Sequence, residues 1–165
     1  MDIRQLGEAD AADYRELRLR GLREHPEAFT SSYEEERAKP LEWTLSRVKA
    51  GMVLGAYEGR QLVGVLGLSI EPRAKIRHKG HVFGMYVAPE HAGRGVGRAL
   101  LAECIARAKH ISGLELLQLT VTDGNDRAKA LYEKAGFRQF ALERNAMKLG
   151  GRHFDKCHMA LELVP

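Results

Sequence analysis

One segment constrains this chain more than any other: Met85-Tyr86-Val87-Ala88-Pro89-Glu90-His91-Ala92-Gly93-Arg94-Gly95-Val96-Gly97-Arg98-Ala99-Leu100-Leu101. An apolar run suited to a strand leads into a loop. Glycines follow at 93, 95 and 97, and then a helical pattern reaches about Lys109, with Val96, Leu100, Leu101, Cys104, Ile105 and Ala108 on one stripe. Glycines at a helix start let a ligand approach the backbone closely. The first amides of a helix lack internal partners, and the helix dipole makes that end positive. Together they form an anion seat, which Arg94 and Arg98 flank. The dinucleotide pattern GxGxxG would need glycine at 98 or 100, where Arg98 and Leu100 stand. No Gly-Lys-Ser/Thr occurs, so the P-loop pattern fails as well. The loop therefore suits a pyrophosphate without being either common nucleotide motif. Glycines that only shape a turn and cap a helix are the plain alternative.

The rest of the chain reads as a single domain over residues 1–165, with no repeat or Gly/Ser/Pro-rich linker. A net charge of +4 is mild; it suits an anionic small ligand and no nucleic acid is expected. Cys104 and Cys157 are too few for a disulfide scaffold, and no Cys/His cluster indicates a metal. No secretory pattern opens the chain, and the apolar runs at 62–70 and 82–88 are too short to cross a bilayer. A cytoplasmic protein without membrane partners is the expectation.

Strand signals cover 2–6, 52–57, 61–71, 81–87, 114–121, 137–146 and 154–163. Helix signals follow Asp10 (Ala11, Tyr14, Leu17, Leu22, ending at His25-Pro26), follow Pro40 (Leu41, Leu45, Val48), start at Gly95, and span 126–134 before Gly136. The polar stretch 27–39 reads as loop or irregular helix, and Arg73–Lys79 as a basic connection. Helices alternate with strands late in the chain and hairpins dominate elsewhere. That order predicts a mixed α/β (α+β) fold: a central, mostly antiparallel sheet of about 6–7 strands flanked by about four helices.

The glycine segment resembles the acetyl-CoA-binding run of the GNAT superfamily of N-acetyltransferases, [Q/R]xxGx[G/A], placed on Ala92-Gly93-Arg94-Gly95-Val96-Gly97. Ala92 departs from the pattern, which removes one side chain from the loop but leaves its amides. Downstream, Asn125, Ala128, Leu131, Tyr132, Gly136 and Phe137 supply every anchor of the family run N-x-x-A-x-x-[LF]-Y-x-x-x-G-F. The element order agrees from residue 2 to about 163.

The resemblance implies acetyl-CoA as cosubstrate and no metal. It implies a sheet splayed between the fourth and fifth strands, 81–87 and 114–121, with the pantetheine arm between them. Backbone groups of Met85, Tyr86 and Val87 would pair with that arm. Amides of Arg94, Gly95, Val96, Gly97, Arg98 and Ala99 would hold the pyrophosphate, and Asn125 would offer its side-chain amide. The reaction implied is direct attack of a primary amine of a small molecule on the thioester. A protein N-terminus or lysine, or a CoA-binding module without turnover, are the alternatives, and a homodimer is left open. Tyr132 stands where relatives place the acid for the leaving thiolate; packing under the last strands is its other role. His81 is the first candidate base and Glu71 the second. Cys104 reads as core, Cys157 lacks a base partner, and His153 and His158 have poor metal spacing. Trp43 is read as core or as lining for the acceptor, and the Arg73–Lys79 run as solvated loop or as a contact for an anion.

Overall fold

The computed structural model describes residues 1–164. In chain order the elements are β1 (Asp2–Gln5), α1 (Ala11–Glu24), α2 (Tyr33–Arg37), α3 (Leu41–Ala50), β2 (Met52–Glu58), β3 (Gln61–Ile70), β4 (Lys79–Val87), α4 (Val96–Ala108), β5 (Leu116–Thr122), α5 (Asp126–Lys134), β6 (Arg138–Leu149) and β7 (Arg152–Glu162). The seven strands make one sheet in the order β1-β2-β3-β4-β5-β7-β6. Every pairing is antiparallel except that of β4 with β5. The mixed sheet expected from the sequence is present.

Local chemistry accounts for the boundaries. Asp10 precedes α1; its carboxylate accepts from the Gly7 N–H and from both terminal nitrogens of Arg4. Pro26 disfavours helical dihedrals at His25, where α1 ends with φ −133° and ψ 61°. Within the polar stretch 27–39, a short helix forms because Ser32 Oγ accepts the Glu35 N–H. With it the described residues hold five α-helices, in keeping with the expected about four, and the irregular-helix reading of 27–39 is met by an α-helix only over its Tyr33–Arg37 part. The last hairpin is longer than expected, with β6 running to Leu149. Gly150 and Gly151 both have positive φ, 57° and 78°, which permits a two-residue turn and keeps the strands paired to its edge.

The core lies on both faces of the sheet. Leu54, Leu66, Leu117 and Phe137 cluster with Leu100 and Leu101 of α4. Leu6, Val53, Val65 and Tyr86 cluster with Tyr14 and Leu17 of α1. Fully burying each such side chain contributes roughly 1.5–3 kcal/mol.

One irregularity sets up the site. β4 and β5 pair only at Lys79–Leu116, Gly80–Leu117 and His81–Gln118. Beyond His81, β4 stays on β3 and leaves β5. Across β3, Val65 faces Tyr86 but Gly67 faces Phe83, so β4 carries one extra residue. Gly84, with φ +60°, sits inside that bulge. A bulge bends its strand and strengthens the local twist, which carries β4 away from β5. The splay lies between the fourth and fifth strands.

Candidate active site

The gap opens into a cleft of about 1470 Å³. Small-ligand clefts usually hold about 300–1,000 Å³, so this one has room for a long ligand. Met85, Tyr86 and Val87 form one wall. Tyr86 cannot present its ring there, because its hydroxyl donates to Glu24 Oε2 at 2.9 Å and its ring packs on Gly21 of α1. Its main chain pairs across to Val65 of β3, as Ala88 N–H does to Val63 O, so by strand alternation the neighbouring main-chain groups of Met85 and Val87 are those turned to the open edge.

Gly93, Gly95, Val96, Gly97 and Arg98 form the end wall. Gly95 is the N-cap of α4 in the left-handed conformation, φ 81° and ψ 10°, and no side chain caps the helix. A Cβ built on Gly93 or Gly95 meets nothing within 4 Å. The glycines are thus required by their backbone angles, and the space before the helix is open. The amides of Val96, Gly97 and Arg98 precede the first helical bond and remain for a ligand. The Ala99 N–H, expected among the donors, instead bonds Gly95 O at 3.0 Å and is removed from the set. Arg94 also differs from expectation. Its NH1 lies 3.5 Å from Glu58 Oε2, and the same carboxylate oxygen lies 3.1 Å from His91 Nδ1. Its guanidinium braces the loop against the β2–β3 hairpin.

The third wall is α5 and the strand after it. Asn125 caps α5, its Oδ1 accepting the Ala128 N–H at 3.4 Å. That leaves its NH2 to donate to a ligand. Arg98, Lys109, Arg127, Lys134 and Arg152 line the cleft against only Glu27 and Asp123, an excess suited to phosphates. Four of these five cations escaped the sequence reading. The signal existed: Arg127, Leu131 and Lys134 recur at helical spacing on one face of α5. The Arg73–Lys79 connection, weighed as an anion contact, contributes nothing to the lining.

Tyr132 is buried within the core and meets Phe137 edge-on at 6.1 Å, while Leu131 beside it lines the cleft. Burial pushes its phenol up to about 12, so it keeps its proton through the neutral range. His81 stands on the last paired rung, its Nε2 3.4 Å from Glu71 Oε1, and the two candidate bases are therefore one pair. Strand alternation puts His81 on the face of Phe83, toward α3 and away from α4. Tyr132 and His81 thus lie on opposite sides of the sheet. Cys104 is core, as expected, its thiol pushed up to about 12 by burial. Cys157 has a neighbour after all, Asp123 Oδ1 at 3.6 Å. His158 Nε2 meets Glu143 Oε1 at 2.9 Å, and no metal-binding cluster occurs among the described residues. No described helix is long and apolar enough to cross a membrane.

The model of the acetyltransferase (GNAT) family matches residues 19–137. N-alpha-acetyltransferase RimI of Mycobacterium tuberculosis is 35% identical over 99 residues, covering 59% of this chain and 59% of that protein. A mycothiol acetyltransferase of Salinispora tropica is 33% identical over 96 residues, 58% of this chain and 31% of its own length. The chain therefore matches between 31% and 59% of the length of these relatives. Among solved structures, yncA of Salmonella typhimurium, determined with its cofactor acetyl-CoA, superposes with a TM-score of 0.84 at 24% identity, covering 100% and 95% of the two chains.

Proposed function

We propose that this chain, which belongs to the acetyltransferase (GNAT) family, is an N-acetyltransferase that moves the acetyl group of acetyl-CoA to a primary amine of a small molecule. One observation carries the reading: an uncapped helix N-terminus stands at the end of a strand whose edge is unpaired, within one cleft. Diphosphate and an amide-bearing arm are what such a pair of surfaces accepts. The amides of Val96, Gly97 and Arg98 would hold the diphosphate. Backbone groups of Met85 and Val87 would pair with the arm, Tyr86 between them being turned to β3, and Asn125 would donate to it.

Transfer requires a neutral amine nucleophile, a donor for the developing oxyanion and a proton for the leaving thiolate. Main-chain N–H groups at the β4 bulge are the donors for the oxygen. Tyr132, protonated by burial, would be the acid. His81, oriented by Glu71, would take the amine proton, directly or through water.

A second reading, acetylation of a peptide N-terminus, is favoured by one feature. Residues 138–145 of β6 are all exposed, so the sheet beyond β5 has a face open enough for a chain. Thiol release with acetyl-CoA and paired panels of small amines and short peptides tests both. Faster turnover of small amines supports the first, and of peptides the second. Binding of acetyl-CoA without any acceptor-dependent release would leave a CoA-binding module.

A further inference from the structure

One buried group is not used by the cleft chemistry. Arg18, in the middle of α1, has only 9% of its side chain exposed. Its Nε and NH2 donate to Glu36 Oε2 and Oε1, both at 2.7 Å. Its NH1 is buried and has no partner. Buried polar groups are rarely left so, and each case calls for a reason. The location supplies one. A Cβ on Gly84 would stand 2.7 Å from that NH1. Gly84 is the left-handed residue of the β4 bulge, so the guanidinium rests on the main chain just where β4 leaves β5.

The charge around it is unbalanced. Arg47 NH1 also reaches Glu36 Oε1, at 3.3 Å, so two guanidiniums share one carboxylate. The other groups about them are Tyr14, Arg15, Leu19, Phe29, Trp43, Thr44 and Phe83, and none of these is a carboxylate. Positive charge is therefore in excess around Glu36, in a partly dry setting where charge is felt over several ångströms. Stability alone does not call for this: buried ion pairs are commonly replaceable by apolar groups at no loss.

We infer that Arg18 is a positioning residue for acetyl transfer: clamped by Glu36, it moulds the β4 bulge and holds positive charge behind the main-chain donors that face the thioester oxygen. The inference rests on the acetyl-transfer reading above. When the amine nitrogen bonds the carbonyl carbon, the C=O electron pair moves to oxygen. It returns as the C–S bond breaks, and the thiolate takes a proton. Arg18 gains and loses no proton; it favours the state in which oxygen is negative.

The test compares wild type with Arg18→Lys and with the double variant Arg18→Met/Glu36→Gln, which leaves no buried carboxylate unpaired. Two readouts are taken: kcat and KM for acetyl-CoA, and the affinities of S-carboxymethyl-CoA, which puts an anionic oxygen beside the thioester position, and S-ethyl-CoA, which does not. In the double variant kcat is expected to fall about 10- to 100-fold, less than the loss of a direct oxyanion donor. KM and S-ethyl-CoA affinity stay within about twofold, the preference for the carboxymethyl analogue falls about tenfold, and the lysine variant recovers part of kcat. An unchanged kcat and analogue ratio overturns the inference, as does a parallel loss of S-ethyl-CoA affinity, which would mark a merely structural role. If the double variant does not fold, Gly84→Ala decides instead: its methyl displaces NH1 while the Arg18–Glu36 pair remains, and undiminished kcat refutes the role. Wild-type protein that binds neither analogue would overturn the acetyl-transfer reading itself.

Discussion

Replacing Gly95 tests the anion seat most directly, because the structure separates its two consequences. Any side chain there must adopt φ 81°. For an ordinary L-residue the left-handed conformation costs about 1–2 kcal/mol, and for a β-branched one more. A chain of this size loses roughly 2–4 °C in Tm per kcal/mol. Gly95→Val is therefore expected to stay folded and melt several degrees lower. Its Cβ meets no protein atom within 4 Å, so the γ-methyls project into the open space before α4. Hydrogen bonds to charged groups contribute about 1.5–3 kcal/mol each. Denying a diphosphate two of the three free amides then costs about 3 kcal/mol at the low end, or more than 100-fold in affinity. Gly95→Asn is the control, since asparagine tolerates the left-handed region. It should melt near wild type yet show the same loss. Calorimetric titration of acetyl-CoA and thermal melts measure both quantities. Wild-type affinity in a folded Gly95→Asn variant would refute the assignment of the diphosphate to this helix end.

Other expectations follow from single groups. Tyr132→Phe should lower kcat at least tenfold in a thiol-release assay and leave acetyl-CoA affinity unchanged; unchanged turnover removes Tyr132 as the acid. Because burial raises the Tyr132 phenol from 10 to about 12, its contribution to stability is complete below about pH 10 and is lost as pH rises through 12. Denaturant melts between pH 9 and 12 should therefore show a loss that Tyr132→Phe reduces. Asn125→Ala should cost about 1 kcal/mol through the lost cap as well as affinity. Asn125→Asp keeps the cap acceptor and should lose affinity alone, a split that melts and titration resolve. Leu100→Ala, under α4 with no exposure, should cost about 2–5 kcal/mol by chemical denaturation.

The open helix end was legible because its geometry is main-chain geometry. Glycines at 93 and 95 have positive φ, so the residue type records the backbone angle that opens the helix end. Asn125 was singled out by the family run as a cofactor donor, and the structure adds that it caps α5. What sequence reading missed is a matter of direction. Arg94 looks like a phosphate ligand by position, yet Glu58, which also lies beside His91, holds it against a hairpin 36 residues earlier in the chain. Ala99 looks like a donor until the first helical bond is counted. Neither fact is written in local spacing, because both depend on where other elements lie.

The face of the sheet toward α1 and α3 follows a different logic, and the same bulge connects the two. Met85 and Val87 turn toward α4 and the cleft, while Phe83 and Tyr86 turn toward α3 and α1. One strand thus presents two faces, and the extra residue at Gly84 is what offsets them. Side chains specify the face toward α1 and α3. Arg18, Glu36 and Arg47 come from three helices separated by 18 and 11 residues, and no short pattern links them. A cofactor that is the same for every reaction needs only a fixed backbone, so its site leaves a readable motif. An acceptor that differs between enzymes must be read by side chains on separate elements, and those come together only when the sheet has formed. Arg18, Glu36 and Arg47 do not line the cleft, so this cluster is where tuning of the transfer step, and not recognition of the acceptor, is to be sought by substitution.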